Sequence, residues 1–114
     1  MARFLLLLHR PASTVSGISP EDLRERVQKY RAWNQELSRA GKIVGGEKLT
    51  EEGGLWLRQE AGAVRVDPAN GQADVVSGYF LLQAEDYDEA SGIARRCPHI
   101  EYGGVIELRQ IEPT

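Results

Sequence analysis

Phe4-Leu5-Leu6-Leu7-Leu8 and Gly78-Tyr79-Phe80-Leu81-Leu82 are short, uninterrupted apolar runs. Leucine favours helices, so propensity alone leaves the first run open. Its shortness, and the Pro11 that follows, favour a strand covered on both faces. In an extended chain Leu5 and Leu7 point one way while Phe4, Leu6 and Leu8 point the other. Tyr79 and Leu81 oppose Phe80 and Leu82 in the same manner. A sheet with one wet face would alternate on every strand, and these runs do not. Something must cover the second face, and the simplest cover is the same face of another copy.

The segments between the two runs have clear punctuation. Residues 11–18 read as loop. Ser19-Pro20-Glu21-Asp22 starts a helix: Ser19 caps it, Pro20 suits its first position, and the acids favour its positive end. Leu23, Val27, Tyr30, Trp33, Leu37 and Ala40 then form one apolar stripe, and Gly41 closes the helix. Ile43 to Leu49 is a weaker strand whose Gly45-Gly46 pair suggests a bulge or a close backbone approach. Leu55–Gln59 and Ala63–Val66 alternate around Glu60-Ala61-Gly62 and read as a hairpin. Asp67 to Gly71 reads as a turn or loop. Asp86, with Glu89 three residues on, caps a second helix with Ala90, Ile93, Ala94 and Cys97 on its apolar side. Pro98 stops that helix. Val105 to Ile111 is the last strand, with Glu107 and Arg109 on one face and Ile106 and Leu108 on the other.

Without the hairpin this order is βαββαβ, the ferredoxin-like plan. That plan puts the first and third strands in the middle of the sheet, where the two all-apolar runs fall. The charged strands Ile43–Leu49 and Val105–Ile111 take the edges. The expected architecture is one α+β domain over residues 1–114, ferredoxin-like with an extra hairpin. A chain of 114 residues has a modest core, and that adds weight to a homodimer.

Composition narrows the function. A net charge of −3 argues against a binder of nucleic-acid backbones. The single cysteine excludes an internal disulfide and suits a reducing compartment. The start MARFLLLLHRP imitates a secretory signal, but His9 and Arg10 cut the apolar run short of the about 7–15 residues such a signal needs. No stretch approaches the roughly 20 apolar residues that span a bilayer. The expectation is a cytoplasmic protein with neither nucleic acid nor membrane as partner.

The residues able to carry chemistry are few. His99, in Cys97-Pro98-His99-Ile100-Glu101-Tyr102-Gly103-Gly104, is a candidate base facing a cleft at the end of the sheet, with Glu101 or Tyr102 to orient it. It equally suits a helix-end cap filling the helix–strand corner. His9, at the end of the first strand and on the face of Leu5 and Leu7, is the second catalytic candidate. Tyr30, Trp33, Glu47 and Tyr102 are candidate ligand contacts; core packing for Tyr30 and Trp33, and an exposed edge for Glu47, are the alternatives. Cys97, on an apolar helix side, reads as buried and not as a nucleophile. Two histidines without acids at ligand spacing give no metal site, and no phosphate loop, dinucleotide fingerprint or serine elbow occurs. No cofactor is expected. Two function classes remain: a small-molecule binder or enzyme using cofactor-free acid–base chemistry, such as an elimination or isomerisation, in a cleft between sheet and helices; and a non-catalytic regulatory or interaction module.

FLLLLH, SPEDLRERVQKYRAWNQEL, AGKIVGGEKL, SGYFLLQAEDYDEA and ARRCPHIEYGGVIELRQI together resemble the YCII-related proteins, including their DGPF-motif branch. The stretches cover most of the chain in that family's order. The resemblance implies a ferredoxin-like fold whose dimers pack sheet to sheet as a dimeric α+β barrel. It also implies that some relatives sit beside sigma-factor-like regulators. The branch's Asp-Gly-Pro-Phe motif would fall in VRVDPANGQADVVSGYF, where only Asp67-Pro68 and Gly71 remain. Some members carry a histidine on the first helix as half of a dyad; here that helix has Tyr30, Arg31 and Trp33 instead.

Overall fold

The computed structural model describes residues 1–11, 18–50, 53–69 and 74–113. Its elements are β1 (Ala2–Pro11), α1 (Pro20–Arg39), β2 (Ile43–Lys48), β3 (Leu55–Glu60), β4 (Ala63–Pro68), β5 (Asp74–Ala84), α2 (Tyr87–Arg95), α3 (Pro98–Glu101) and β6 (Val105–Gln110). Four strands form an antiparallel sheet in the order β2-β5-β1-β6, and β3 and β4 pair separately. The expected α+β ferredoxin-like plan with an inserted hairpin is the observed one. The apolar runs lie in the two central strands.

Both long helices begin where their caps predict. Ser19 Oγ accepts the amide of Asp22 at 3.1 Å, and Asp86 accepts that of Glu89 at 2.9 Å. Gly41, with φ 73°, follows the end of α1 in the left-handed conformation that glycine adopts without penalty. The helices cover one face of the sheet. There Phe4 and Leu6 are 0% exposed and pack with Leu8, Leu82, Trp33, Leu37, Ile93 and Cys97. Each such side chain contributes about 1.5–3 kcal/mol of transfer free energy. Edge-to-face ring contacts, Phe4 with Tyr87 at 4.9 Å and Trp33 with Phe80 at 5.0 Å, tie helix to sheet.

The opposite face carries Leu5, Leu7, Tyr79 and Leu81, all half-buried, and among the described residues no helix lies on it. Leu5 stands between Leu81 and Arg109, and Leu7 between Tyr79 and Glu107. The described residues of one chain therefore leave the second apolar face without a cover.

Several local readings need correction. Leu23 and Val27 are exposed, because only the C-terminal half of α1 meets the sheet, with Trp33 and Leu37 as its buried residues. Cys97-Pro98 does not simply stop a helix. α2 ends at Arg95, Cys97 is extended, and Pro98 opens the short α3, where a residue without an amide hydrogen is well placed. β1 runs to Pro11 and β4 takes in Asp67-Pro68, so part of each expected loop is strand; residues 12–17 of the first loop, and Asn70-Gly71, lie outside the described residues. β5 starts at Asp74, four residues before the apolar run.

The two faces of β1 make opposite predictions. Leu6→Asp puts a charge where no water reaches and should prevent folding, at a cost of several kcal/mol. Leu7→Asp should leave the melting of the isolated chain nearly intact while abolishing the self-association we propose for the open face. Thermal melts and sedimentation equilibrium on the pair check both. A cooperatively melting Leu6→Asp protein would contradict the first, and a stably monomeric wild-type chain at micromolar concentration the second.

Candidate functional site

The site begins with a break in register. β1 and β5 pair Leu8 with Gly78 but His9 with Val76, so Ser77 is an extra residue on β5. Its hydroxyl donates to the Leu8 carbonyl at 3.3 Å. A one-residue slip exchanges the two faces of a strand. Without the bulge Asp74 would point toward the helices. With it, Asp74 shares the open face with His9.

The imidazole of His9 is held at both nitrogens. Nδ1 lies 2.8 Å from Asp74 Oδ2, and Nε2 lies 2.9 Å from Glu107 Oε1. The His9 side chain is 20% exposed, against 58% for Asp74 and 40% for Glu107. Arg109 Nη1 stands 3.6 Å from the other oxygen of Glu107, extending the polar line. Both ring nitrogens can donate at once only in the protonated form. Burial pulls the His9 pKa down, but the hydrogen bonds to Glu107 and Asp74, with their charges, more than offset this and leave it above 6.5.

His99 lies behind the same strand. It is 7% exposed, so the expectation that it faces a cleft is not met. Its Nε2 donates to the backbone carbonyl of His9 at 2.7 Å. That fixes the tautomer: Nδ1 is the acceptor and takes the Tyr30 hydroxyl hydrogen, 3.1 Å away. The ring lies flat on Gly104, where a Cβ would fall inside the imidazole. Of the two structural roles expected for His99, filling the helix–strand corner is the one this geometry supports; its side chain bonds the strand carbonyl of His9 and not a helix end. The Tyr30 hydroxyl is pushed well above its ordinary pKa, first by burial and then by Cys97 and Tyr102. Burial raises the Cys97 thiol to about 11, against a smaller opposite pull from the His99 amide, so it remains a thiol.

The other candidates do not converge. Trp33 is buried, its Nε1 donating to the Ile93 carbonyl at 3.3 Å. Tyr102 lies at the surface of α3 with the Arg26 guanidinium 4.1 Å over its ring, and Glu101 pairs with Lys29 at 2.8 Å instead of orienting His99. Glu47 is exposed on β2, opposite Tyr79 and two strands from His9. Gly46 beside it answers the close-approach reading: a Cβ there would stand 2.7 Å from the Tyr79 carbonyl oxygen. A cleft of about 300 Å³ does lie between α1 and β2, but Asn34, Ser38, Ile43–Gly46 and Phe80 line it. The expected site of His9, Tyr30, Trp33, Glu47 and His99 between sheet and helices is therefore replaced by a His9 cluster on the open face. Its partners Asp74 and Glu107 escaped the sequence reading. Asp74-Val75-Val76-Ser77 does not alternate, and parity read back from the apolar run would put Asp74 on the helix side, so the sequence held no signal for its place beside His9.

The sequence profile of the YCII-related domain matches residues 1–114. The chain belongs to the YCII-related family. Among curated proteins no sequence matches it. Among solved structures it is similar to the 5-chloro-2-hydroxyhydroquinone dehydrochlorinase of Burkholderia phenoliruptrix AC1100, in complex with 2,5-dihydroxybenzoquinone. The two share 18% identity over 96% of this chain and 95% of that one, with a TM-score of 0.46. This YCII-related chain lacks a histidine on α1, and His9 on β1 is its histidine in contact with carboxylates. Among the described residues, no helix is long and apolar enough to cross a membrane.

The raised His9 pKa has a signed consequence. The cluster's contribution to stability is fully present below pH 6.5 and is lost as pH rises through the higher folded-state value. The difference in urea midpoint between wild type and His9→Gln should therefore shrink between pH 6 and pH 9. A constant difference would show that the ion pairs do not form. For the corner, His99→Ala strands the Tyr30 hydroxyl and the His9 carbonyl and should cost about 1–3 kcal/mol in urea denaturation. Gly104→Ala should be similarly destabilising, because the ring has nowhere to move.

Proposed function

We propose that this YCII-related chain is a small-molecule enzyme using cofactor-free acid–base chemistry, with His9 as the proton-transfer group. One observation carries the reading: an imidazole gripped by Asp74 and Glu107 at the end of the apolar strip of Leu5, Leu7, Tyr79 and Leu81 on the open sheet face. Asp74 holds Nδ1 and so directs Nε2 toward the open face, the role a carboxylate plays beside a catalytic histidine. Glu107 occupies Nε2 at rest. In the neutral ring, with Nδ1–H on Asp74, Nε2 carries a lone pair; Glu107 turns to Arg109, already 3.6 Å away, and Nε2 takes the substrate's proton to give the imidazolium that Asp74 and Glu107 stabilise. Elimination and isomerisation next to a carbonyl need one base and a carboxylate partner, and this cluster supplies both.

Deuterium wash-in tests the proposal. A panel of small carbonyl compounds, some with a β leaving group, is incubated with protein in D2O and followed by proton NMR. Wild type should exchange or eliminate at least one of them. His9→Gln should reduce that rate about 10²–10⁴-fold. Asp74→Asn should reduce it less and shift its pH profile. A substrate processed equally well by His9→Gln would sink the assignment.

The alternative, a non-catalytic interaction module, draws on a different observation: the exposed β3–β4 hairpin with its unpartnered apolar face.

A further inference from the structure

The β3–β4 hairpin is a two-faced ribbon. Ala61 and Gly62 both have positive φ, as a two-residue turn between twisted strands requires. The register pairs Leu55 with Pro68, Leu57 with Val66 and Gln59 with Val64, so these six share one face. The other face holds Trp56, Arg58, Glu60, Arg65 and Asp67, with Arg65 bonded to Glu60 at 3.0 Å and to Asp67 at 2.9 Å. Arg65, Glu60 and Asp67 find their partners within the ribbon; the apolar face has none among the described residues. Leu55 and Leu57 are each 64% exposed, and Val64 66%. Among the described residues the two strands pair only with each other, and a lone two-stranded ribbon is marginal in water. Its root is firm, since the Ala69 amide donates to the Gly54 carbonyl at 2.9 Å and Ala69 is buried.

We propose that the ribbon is an exchange arm whose apolar face packs on a second copy of this chain, walling in the His9–Asp74–Glu107 cluster of that copy. The occupant follows from what is left uncovered. The sheet's open face offers the half-buried strip of Leu5, Leu7, Tyr79 and Leu81, with Val76 and Val105 beside His9. That is small against the about 800 Å² per partner that a specific interface buries. Leu55, Leu57, Val64, Val66 and Pro68 supply the missing apolar area. One chain cannot bring its own two surfaces together. The molecule measures 48 × 44 × 18 Å, thin enough for only two layers, so the arm projects and does not fold over the sheet. The 16.2 Å radius of gyration exceeds the about 13 Å of a compact chain of this length for the same reason. A two-fold axis satisfies both surfaces at once, each arm serving the other sheet. The arm is also rooted near the site, because β4 leads within six residues to Asp74, the carboxylate on His9 Nδ1.

The inference rests on the proposed reading of the His9 cluster only for what the arm encloses, and its test reads the arm separately. Leu57→Lys/Val66→Glu places opposite charges directly across the ribbon, so the hairpin keeps a cross-strand pair while its apolar face is lost. Sedimentation equilibrium should show a wild-type dimer and at least a 100-fold weaker one for the double variant. Arg58→Glu, on the charged face, should leave the dimer intact. Hydrogen exchange on unmodified protein keeps the test independent of variant folding. Amides of 55–60 and 63–68 should be protected only above the dimer dissociation constant. A monomeric wild type, an undiminished dimer in the double variant, or arm amides that exchange equally fast in dimer and monomer would each overturn the arm. His9→Gln should leave dimer and arm protection unchanged while removing turnover, so the two proposals fail separately.

Discussion

The strand β1 is hydrogen-bonded on both edges, to β5 and to β6, and its parity sorts the molecule into two halves. Phe4, Leu6 and Leu8 go to the helices; Leu5, Leu7 and His9 go to the open face. The register is fixed by burial and not by charge. Three side chains at 7% exposure or less contribute several kcal/mol. A partly exposed ion pair contributes about 1 kcal/mol or less. The core therefore decides where His9 points, and the carboxylates occupy what that register offers. The Ser77 bulge is the single departure from parity between these two strands, and it brings Asp74 to the histidine. Bulges commonly re-aim a side chain beside an active site, and here one decides the composition of the cluster.

What could be read from sequence was local or periodic. Ser19 and Asp86 announced their helices because a cap is a property of four consecutive residues. The central strands were legible because a run apolar on both faces has no other place in a four-stranded sheet. Glu107 and Arg109 were correctly put on one face of the last strand. Non-local features were not legible. No pattern in Asp74-Val75-Val76-Ser77 reveals that Ser77 has no register partner on β1, and without that the side of Asp74 is undefined. Pro98 is ambiguous by its chemistry, since the residue that ends one helix is equally suited to begin the next. The exposure of Leu23 and Val27 depends on how far α1 overhangs the sheet, which periodicity does not encode.

His9 and His99 are joined through one peptide. The side chain of His9 serves the open face while its carbonyl accepts from His99 on the helix side. Tyr30 anchors His99, and Gly104 leaves room for the ring. This gives the corner sequence CPHIEYGG a definite task. It does not supply a base; it holds the backbone of the residue positioned to act as one. Strand ends usually fray, and a site on a strand end benefits from such an anchor, because acid–base geometry tolerates little displacement. Disturbing the corner should therefore reach His9 without touching its side chain.

The uncovered sheet and the site are two aspects of one surface. His9 is the first polar residue after the apolar run, so the polar cluster sits at the edge of the strip formed by Leu5, Leu7, Tyr79 and Leu81. Left open to water, the cluster's ion pairs are weak, although the histidine side chain is itself only 20% exposed. Covered by an apolar partner, the same carboxylates act in a lower dielectric, where each interaction with the imidazole strengthens. The surface whose burial drives association is thus the surface whose burial makes the histidine chemically useful. That gives a physical reason for this small chain to keep an apolar face its own helices never reach.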